Sequence, residues 1–118
     1  SIPAISLSTD TSALTAIGND FSFNEIFSRQ IESIGKPGDI AIGITTSGKS
    51  KNVINALKLA KKKKIISVIL TKKKYPNKQH LKKISDLILG VPANETARIQ
   101  ELHILVGHLM CAVIDEEF

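Results

Sequence analysis

Short β-branched runs alternate along this chain with stretches of helical spacing, the pattern expected of βαβ units around a parallel sheet. Ile2 to Leu7 reads as a first strand, followed by a polar stretch from Ser8 to Asp20. Phe23, Ile26, Phe27, Ile31 and Ile34 fall at helical spacing and predict one amphipathic helix from Phe23 to Ile34. Gly35 to Asp39, rich in glycine and proline, closes that helix and turns the chain. Ile40 to Thr45 predicts a second strand, apolar enough to be buried on both faces. After Thr46 to Ser50 a helix runs to about Lys62, with Val53, Ile54, Leu57 and Ala60 inward. Ile65 to Leu70 is a third strand and Thr71 to Lys78 a loop. A short helix near Leu81 to Ile84 leads to a fourth strand, Asp86 to Val91, and a long helix spans Glu95 to about Glu116.

These elements make one domain, residues 1–118, of the α/β class. The composition, 42% hydrophobic and 23% charged, is ordinary for a globular protein. No continuous apolar run reaches the roughly 18 residues of a membrane span, so no membrane partner is expected. The single cysteine, Cys111, has no partner for an internal disulfide; a buried thiol in a reducing, cytoplasmic compartment is the expectation. The formal charge of +5 comes mostly from lysines between Lys49 and Lys83. Such a cluster serves as a solvated helix face or attracts anions. With Tyr75 as its one aromatic and no arginines, it argues against nucleic acid as a partner.

The sharpest local feature is Thr45-Thr46-Ser47-Gly48-Lys49-Ser50, placed where a parallel strand gives way to a helix. Ligands of open α/β sheets bind outside the carboxyl ends of the strands, where unpaired helix amides and the helix dipole favour an anion. Hydroxyl groups and a glycine that lets the backbone approach suit phosphate oxygens. Ser50 is placed to cap the helix or to donate to a phosphate, and both readings stand at this point. The glycine–lysine spacing is neither that of a Walker loop nor that of a dinucleotide fingerprint.

With its flanks, Gly43-Ile44-Thr45-Thr46-Ser47-Gly48-Lys49-Ser50-Lys51-Asn52-Val53 resembles the GISTSGNSxNV signature of sugar isomerase (SIS) domains of the phosphoheptose isomerase type. Thr45 stands where serine is usual and Lys49 where asparagine is. Ala4 to Ile17, Asn19 to Gln30, and Thr96 to His103 with His108 resemble three further family segments in the same order. The resemblance implies a three-layer α/β sandwich around a parallel, flavodoxin-like sheet. It implies isomerisation of sedoheptulose 7-phosphate to D-glycero-D-manno-heptose 7-phosphate for bacterial heptose and lipopolysaccharide precursors, in a homotetramer, with zinc in several members. Thr45, Thr46, Ser47 and Ser50 would hold the phosphate, and Asp10 and Thr11 would sit near the sugar hydroxyls. Gln100 and His108 would carry acid–base or metal-binding roles. The alternative is a non-catalytic SIS module that binds a sugar phosphate or a protein such as the replication initiator.

Moving a carbonyl between C2 and C1 needs proton removal and delivery, work suited to a group titrating near neutrality, such as histidine. His80 reads as solvated surface. His103 and His108 lie about 140° apart around one helix and so do not form a paired metal site; His103 and Glu101 read as packing or interface residues. Gln100 and His108 are offset by about 80° and about 12 Å, close enough to touch one heptose-sized substrate but stretched for one metal. Core packing is the competing reading of His108, among Val106, Leu109 and Met110. Gly107, costly within a helix, suggests a close contact with substrate or a neighbouring helix. The family's first strand, its glutamate-bearing helix and its N-terminal helices are expected before Ser1. Without that strand, Ile2 to Leu7 and Ile40 to Thr45 are expected to expose edges or to pair directly.

Overall fold

A computed structural model describes residues 2–75 and 78–118. In chain order the elements are α1 (Thr11–Asp20), a 3₁₀ turn (Phe23–Glu25), α2 (Ser28–Ile34), β1 (Ile40–Ile44), α3 (Lys51–Lys62), β2 (Ile66–Lys72), α4 (Lys78–Ile84), β3 (Leu87–Val91) and α5 (Thr96–Glu117). The strands form one parallel sheet in the order β1-β2-β3. Gly43 lies opposite Ile69, and Ile69 opposite Ile88.

Alternation along the strands sorts the core into two faces. On one, Ile69 packs with Val53 and Leu57 of α3 and with Leu81 and Ile84 of α4. Ile31 of α2, Ala56 and Ala60 of α3, and Ile65 form a second cluster. On the other face Val68 and Leu70 are also buried, and α5 packs there against β2 and β3. The expected three layers are thus present over β2 and β3. Over β1 the outer layer is absent.

Gly43 sets how closely α3 lies on β1. A Cβ at this position would come 2.7 Å from Val53 Cγ1 and 3.1 Å from Leu57 Cδ1. The bare backbone therefore seats the start of α3 directly beyond the end of β1, where the hydroxyl loop begins.

Four sequence expectations change. Ile2 to Leu7 is not a strand: Ile5 is 73% exposed, and the sheet has three strands rather than four. An extended segment needs a ladder partner, and the free edge of β1 does not take it. Instead Leu7 is tied through its carbonyl to Gln30 Nε2 at 2.9 Å. The polar stretch after it forms α1, started by Asp10, whose carboxylate accepts from Ala13 N at 2.9 Å. The helix expected from Phe23 to Ile34 divides into the 3₁₀ turn and α2 around Ser28, whose hydroxyl bonds back to Glu25. Finally, β1 is not buried on both faces, because Ile40, Ile42 and Ile44 are 63%, 47% and 58% exposed.

Helix α5 is 22 residues long, with a mean hydropathy of 1.3 over an 18-residue window, enough for a membrane span by length and composition alone. Ile99 and His103 are nonetheless buried against the sheet. Its outward positions include Ile104, Leu105, Leu109 and Val113, all exposed. Cys111 is exposed with them, against the expectation of a buried thiol, because that side of the helix is uncovered among the described residues.

At the opposite end of the sheet from the loop, Asp86 joins β2 to β3. The backbone amide of Ser67 donates to its Oδ2 at 2.8 Å and the Ser67 hydroxyl lies at 2.9 Å, with Lys61 4.0 Å from Oδ1. The Ser67 amide first, then its hydroxyl, then Lys61 hold this carboxyl below its ordinary value. A carboxyl whose folded value is depressed stabilises the fold above its unfolded value, and that contribution is lost as pH falls through the folded one. The stability gap between wild type and Asp86→Asn, followed by urea unfolding, is expected to hold from neutrality to about pH 4 and to close below it. Separately, Gly43→Ala is expected to cost about 1–3 kcal/mol by overpacking in the same assay.

Candidate functional site at the carboxyl end of the first strand

Thr45 follows β1 and still belongs to the ladder, its amide donating to Leu70 O at 3.0 Å. Its side chain is buried and turns into the loop. There Thr45 Oγ1 accepts from Gly48 N at 3.2 Å and lies 2.8 Å from Ser50 Oγ and 3.5 Å from Ser47 Oγ. One hydroxyl thus gathers the loop around itself. Gly48 completes the turn at φ +69°, a left-handed conformation that glycine adopts without a Cβ penalty. A Cβ there would also press on Tyr75, Leu81 and Thr71 at 3.3–3.4 Å.

Ser47 is exposed; its Oγ accepts from Lys49 N at 3.1 Å, and its own proton remains available to an acceptor. Thr46 is half-buried beside it. Ser50 occupies the N-cap position of α3, but its side chain does not cap the helix. It bonds to Thr45 instead. The amides of the first turn are therefore not closed by the cap residue, and an anion in front of them meets backbone donors and the positive end of the helix dipole. Of the four loop residues named from sequence, Thr45, Ser47 and Ser50 are drawn together by their hydroxyls, with Thr45 at the centre and Thr46 next to it in the chain.

The remaining predicted residues lie elsewhere. Asp10 caps α1, the Thr11 carbonyl accepts from Thr15 Oγ1 at 2.7 Å, and both residues are exposed. Among the described residues, no hydrogen bond joins either of them to the loop. Gln100 and His108 are exposed on α5, so the core-packing alternative for His108 does not hold. A Cβ on Gly107 would meet nothing within 4 Å, so no helix of this chain makes the close contact suggested for it.

Among the described residues, no group of three or more His, Cys, Asp or Glu side chains is placed to hold a metal. A catalytic zinc takes three protein ligands. Gln100 and His108 offer two donors about 12 Å apart along the helix axis, so this chain's residues do not by themselves fit zinc.

The sequence reading placed Thr71 in a loop, but it lies within β2, one residue before its end, fully buried beneath Gly48. Its carbonyl lies 3.3 Å from His103 Nε2, a bond that ties α5 to the strand under the loop. Thr71 Oγ1 and His103 Nδ1 are buried without hydrogen-bond partners among the described residues. A signal existed: the run Ile65 to Leu70 ends in a threonine just as Ile40 to Ile44 does.

No family model matches the chain. Individual relatives do. The chain is 52% identical over 117 residues to a phosphoheptose isomerase from Sulfurimonas denitrificans, covering 99% of this chain and 58% of the relative. It is 48% identical over 118 residues to one from Nitratiruptor sp., covering 100% and 62%. A solved phosphoheptose isomerase from Neisseria gonorrhoeae superposes with a TM-score of 0.88 at 48% identity, covering 94% of this chain and 61% of that one. Another, from Francisella tularensis, superposes at 0.91 and 36% identity, covering 98% and 60%. The parallel layers with a hydroxyl loop at the strand ends define an α/β domain of the SIS fold. Over nearly its whole length the chain is similar to phosphoheptose isomerases, and it spans about three fifths of the length of these relatives.

Thr45→Val is expected to leave Gly48 N and Ser50 Oγ without their shared partner and to cost about 1–3 kcal/mol in urea unfolding. Thr45→Ser keeps the hydroxyl and should lose about 1 kcal/mol for one buried methyl.

Proposed function

We propose that this chain supplies the phosphate-binding half of a phosphoheptose isomerase site, in an enzyme converting sedoheptulose 7-phosphate to D-glycero-D-manno-heptose 7-phosphate. The observation that carries the reading is the loop: the hydroxyls of Thr45, Ser47 and Ser50 gather at the carboxyl end of β1, and Ser50 leaves the first turn of α3 without its cap. A dianionic ester there is met by hydroxyl protons, backbone N–H groups and the helix dipole together.

Anchoring the ester fixes the far end of a seven-carbon sugar and leaves C1 and C2 to be met by other groups. A base removes the C1 proton while O2 gains one, giving the enediol. O1 then gives up its proton and C2 receives one, so that the carbonyl has moved with no net change in composition. His108 is assigned a proton transfer in this sequence and Gln100 a hydrogen bond to the sugar, with Asp10 and Thr11 toward its hydroxyls. The second proton-transfer group is proposed to come from outside the described residues.

Assembly is part of the proposal. The bare face of β1 and the outward side of α5 together expose Ile40, Ile42, Ile44, Leu105, Leu109 and Val113. Apolar surface on this scale supports burial against further polypeptide, in an oligomer such as a tetramer. We place the protein in the bacterial cytoplasm, in the synthesis of heptose for surface polysaccharide.

Incubation with sedoheptulose 7-phosphate, with and without zinc, tests the reading by the appearance of the aldose product. His108→Ala is expected to lower turnover by about 10²-fold or more with ester affinity nearly unchanged. Ser47→Ala is expected to weaken the apparent dissociation constant by about five- to tenfold, the worth of one charge-assisted hydrogen bond. Binding of the ester without turnover would favour a non-catalytic sugar-phosphate module instead.

A further inference from the structure

The charge of this chain is unevenly placed. Between Lys49 and Lys83 there are thirteen lysines and no aspartate or glutamate. Among the described residues these lysines make one salt bridge, Lys61 with Asp86, and Lys63 donates to the carbonyls of Ile31 and Glu32. So dense a cluster of one sign works against the compact state and projects a positive field.

The fold brings part of that field to the loop. An open groove of about 460 Å³ begins at Gly48 and follows α3, lined by Lys49, Lys51 and Lys58 and by His80 of α4. His80 also borders a neighbouring hollow with Lys78 and Lys83. Lys51 and Lys58 are seven residues apart, so they share one helix face about 10 Å apart. The positive end of the α3 dipole opens at the same mouth. Lysine is a compact, hydrated point charge on a flexible stem, without the fork geometry arginine brings to fixed anion contacts. This chemistry suits attraction at a distance better than recognition in place.

We propose that the groove is the approach to the site: Lys49, Lys51 and Lys58 steer a dianionic phosphate ester to the loop and raise its rate of capture, while the loop itself determines how long it stays. The inference rests on the reading of the loop as a phosphate site. Screening decides which lysines act. The Debye length is about 8 Å at 0.15 M salt and about 30 Å at 0.01 M. Lys62 and Lys64, at the far end of α3, are about 16 Å or more along the helix from Lys51. Near physiological salt they are screened from the loop; Lys58, about 10 Å beyond Lys51, acts in part, and Lys51 acts in full.

Line-shape analysis of the ³¹P resonance of sedoheptulose 7-phosphate, titrated with the full chain, gives association and dissociation rates across a salt series. Wild type is expected to lose association rate steeply between 0.01 and about 0.5 M salt. The pair Lys51→Gln and Lys58→Gln should lower association about three- to tenfold at low salt, with dissociation within about twofold. The pair Lys62→Gln and Lys64→Gln should change association less than about twofold at 0.15 M. Faster dissociation with unchanged association in the first pair would overturn steering, because the lysines would then be gripping the ester. An equal effect of the distal pair at 0.15 M, or a salt-independent wild type that still binds, would overturn it too. No binding by wild type at any salt would defeat the phosphate reading itself and the steering inference with it.

Discussion

The hydrogen bonds gathered at the buried hydroxyl of Thr45 are the constraint on which the site depends. That oxygen takes the Gly48 amide and holds Ser50, so the end of β1 and the start of α3 share one fixed turn. Two glycines make the turn possible by different means. Gly43 lets α3 lie close on the strand, and Gly48 adopts a backbone conformation that a side chain would oppose. With Ser50 committed to Thr45, the cap residue does not close the first turn of α3; there Val53 N is taken by Asn52 Oδ1 at 2.9 Å. The loop's own hydroxyls take the Gly48 and Lys49 amides, so the phosphate reading rests on the donors left to the first turn of α3 and on the Ser47 hydroxyl.

A second tie sets the geometry between the two ends of the proposed substrate. His103 fastens α5 to the carbonyl of Thr71, and Thr71 lies beneath Gly48. The helix carrying Gln100 and His108 is therefore referenced to the strand under the loop rather than left to pack freely. Those two side chains stand exposed beside a run of exposed aliphatic residues on the same helix. Polar candidates set on apolar surface suit a site that closes only when further polypeptide covers that side.

Elements held by local pattern were legible in the sequence. The amphipathic spacing of Val53, Leu57 and Ala60 marked α3, the β-branched runs marked β1 and β2, and Thr45 to Ser50 fell at their junction as read. What failed was whatever depended on a partner. Ile2 to Leu7 has the composition of a strand, yet a strand exists only where an edge accepts it. The β-branched run of β1 promised two covered faces, but composition does not say whether a layer is there to cover them. Apolar neighbours made a buried thiol the expectation for Cys111 and core packing the competing reading of His108; those neighbours include Leu105, Leu109 and Val113, which are themselves exposed. His103 was read as a packing or interface residue and is buried, but its bond to Thr71 went unseen because a carbonyl-to-imidazole contact across 32 residues leaves no periodic trace.

The central claim, that the turn opening α3 grips a phosphate ester, is tested most directly by amide chemical shifts of the ¹⁵N-labelled chain during titration with sedoheptulose 7-phosphate. The account predicts saturable shifts concentrated at Thr46 to Asn52, absent when the unphosphorylated sugar is used. Shifts that leave those amides unmoved while the ester binds elsewhere, or no saturable shift at all, would contradict it.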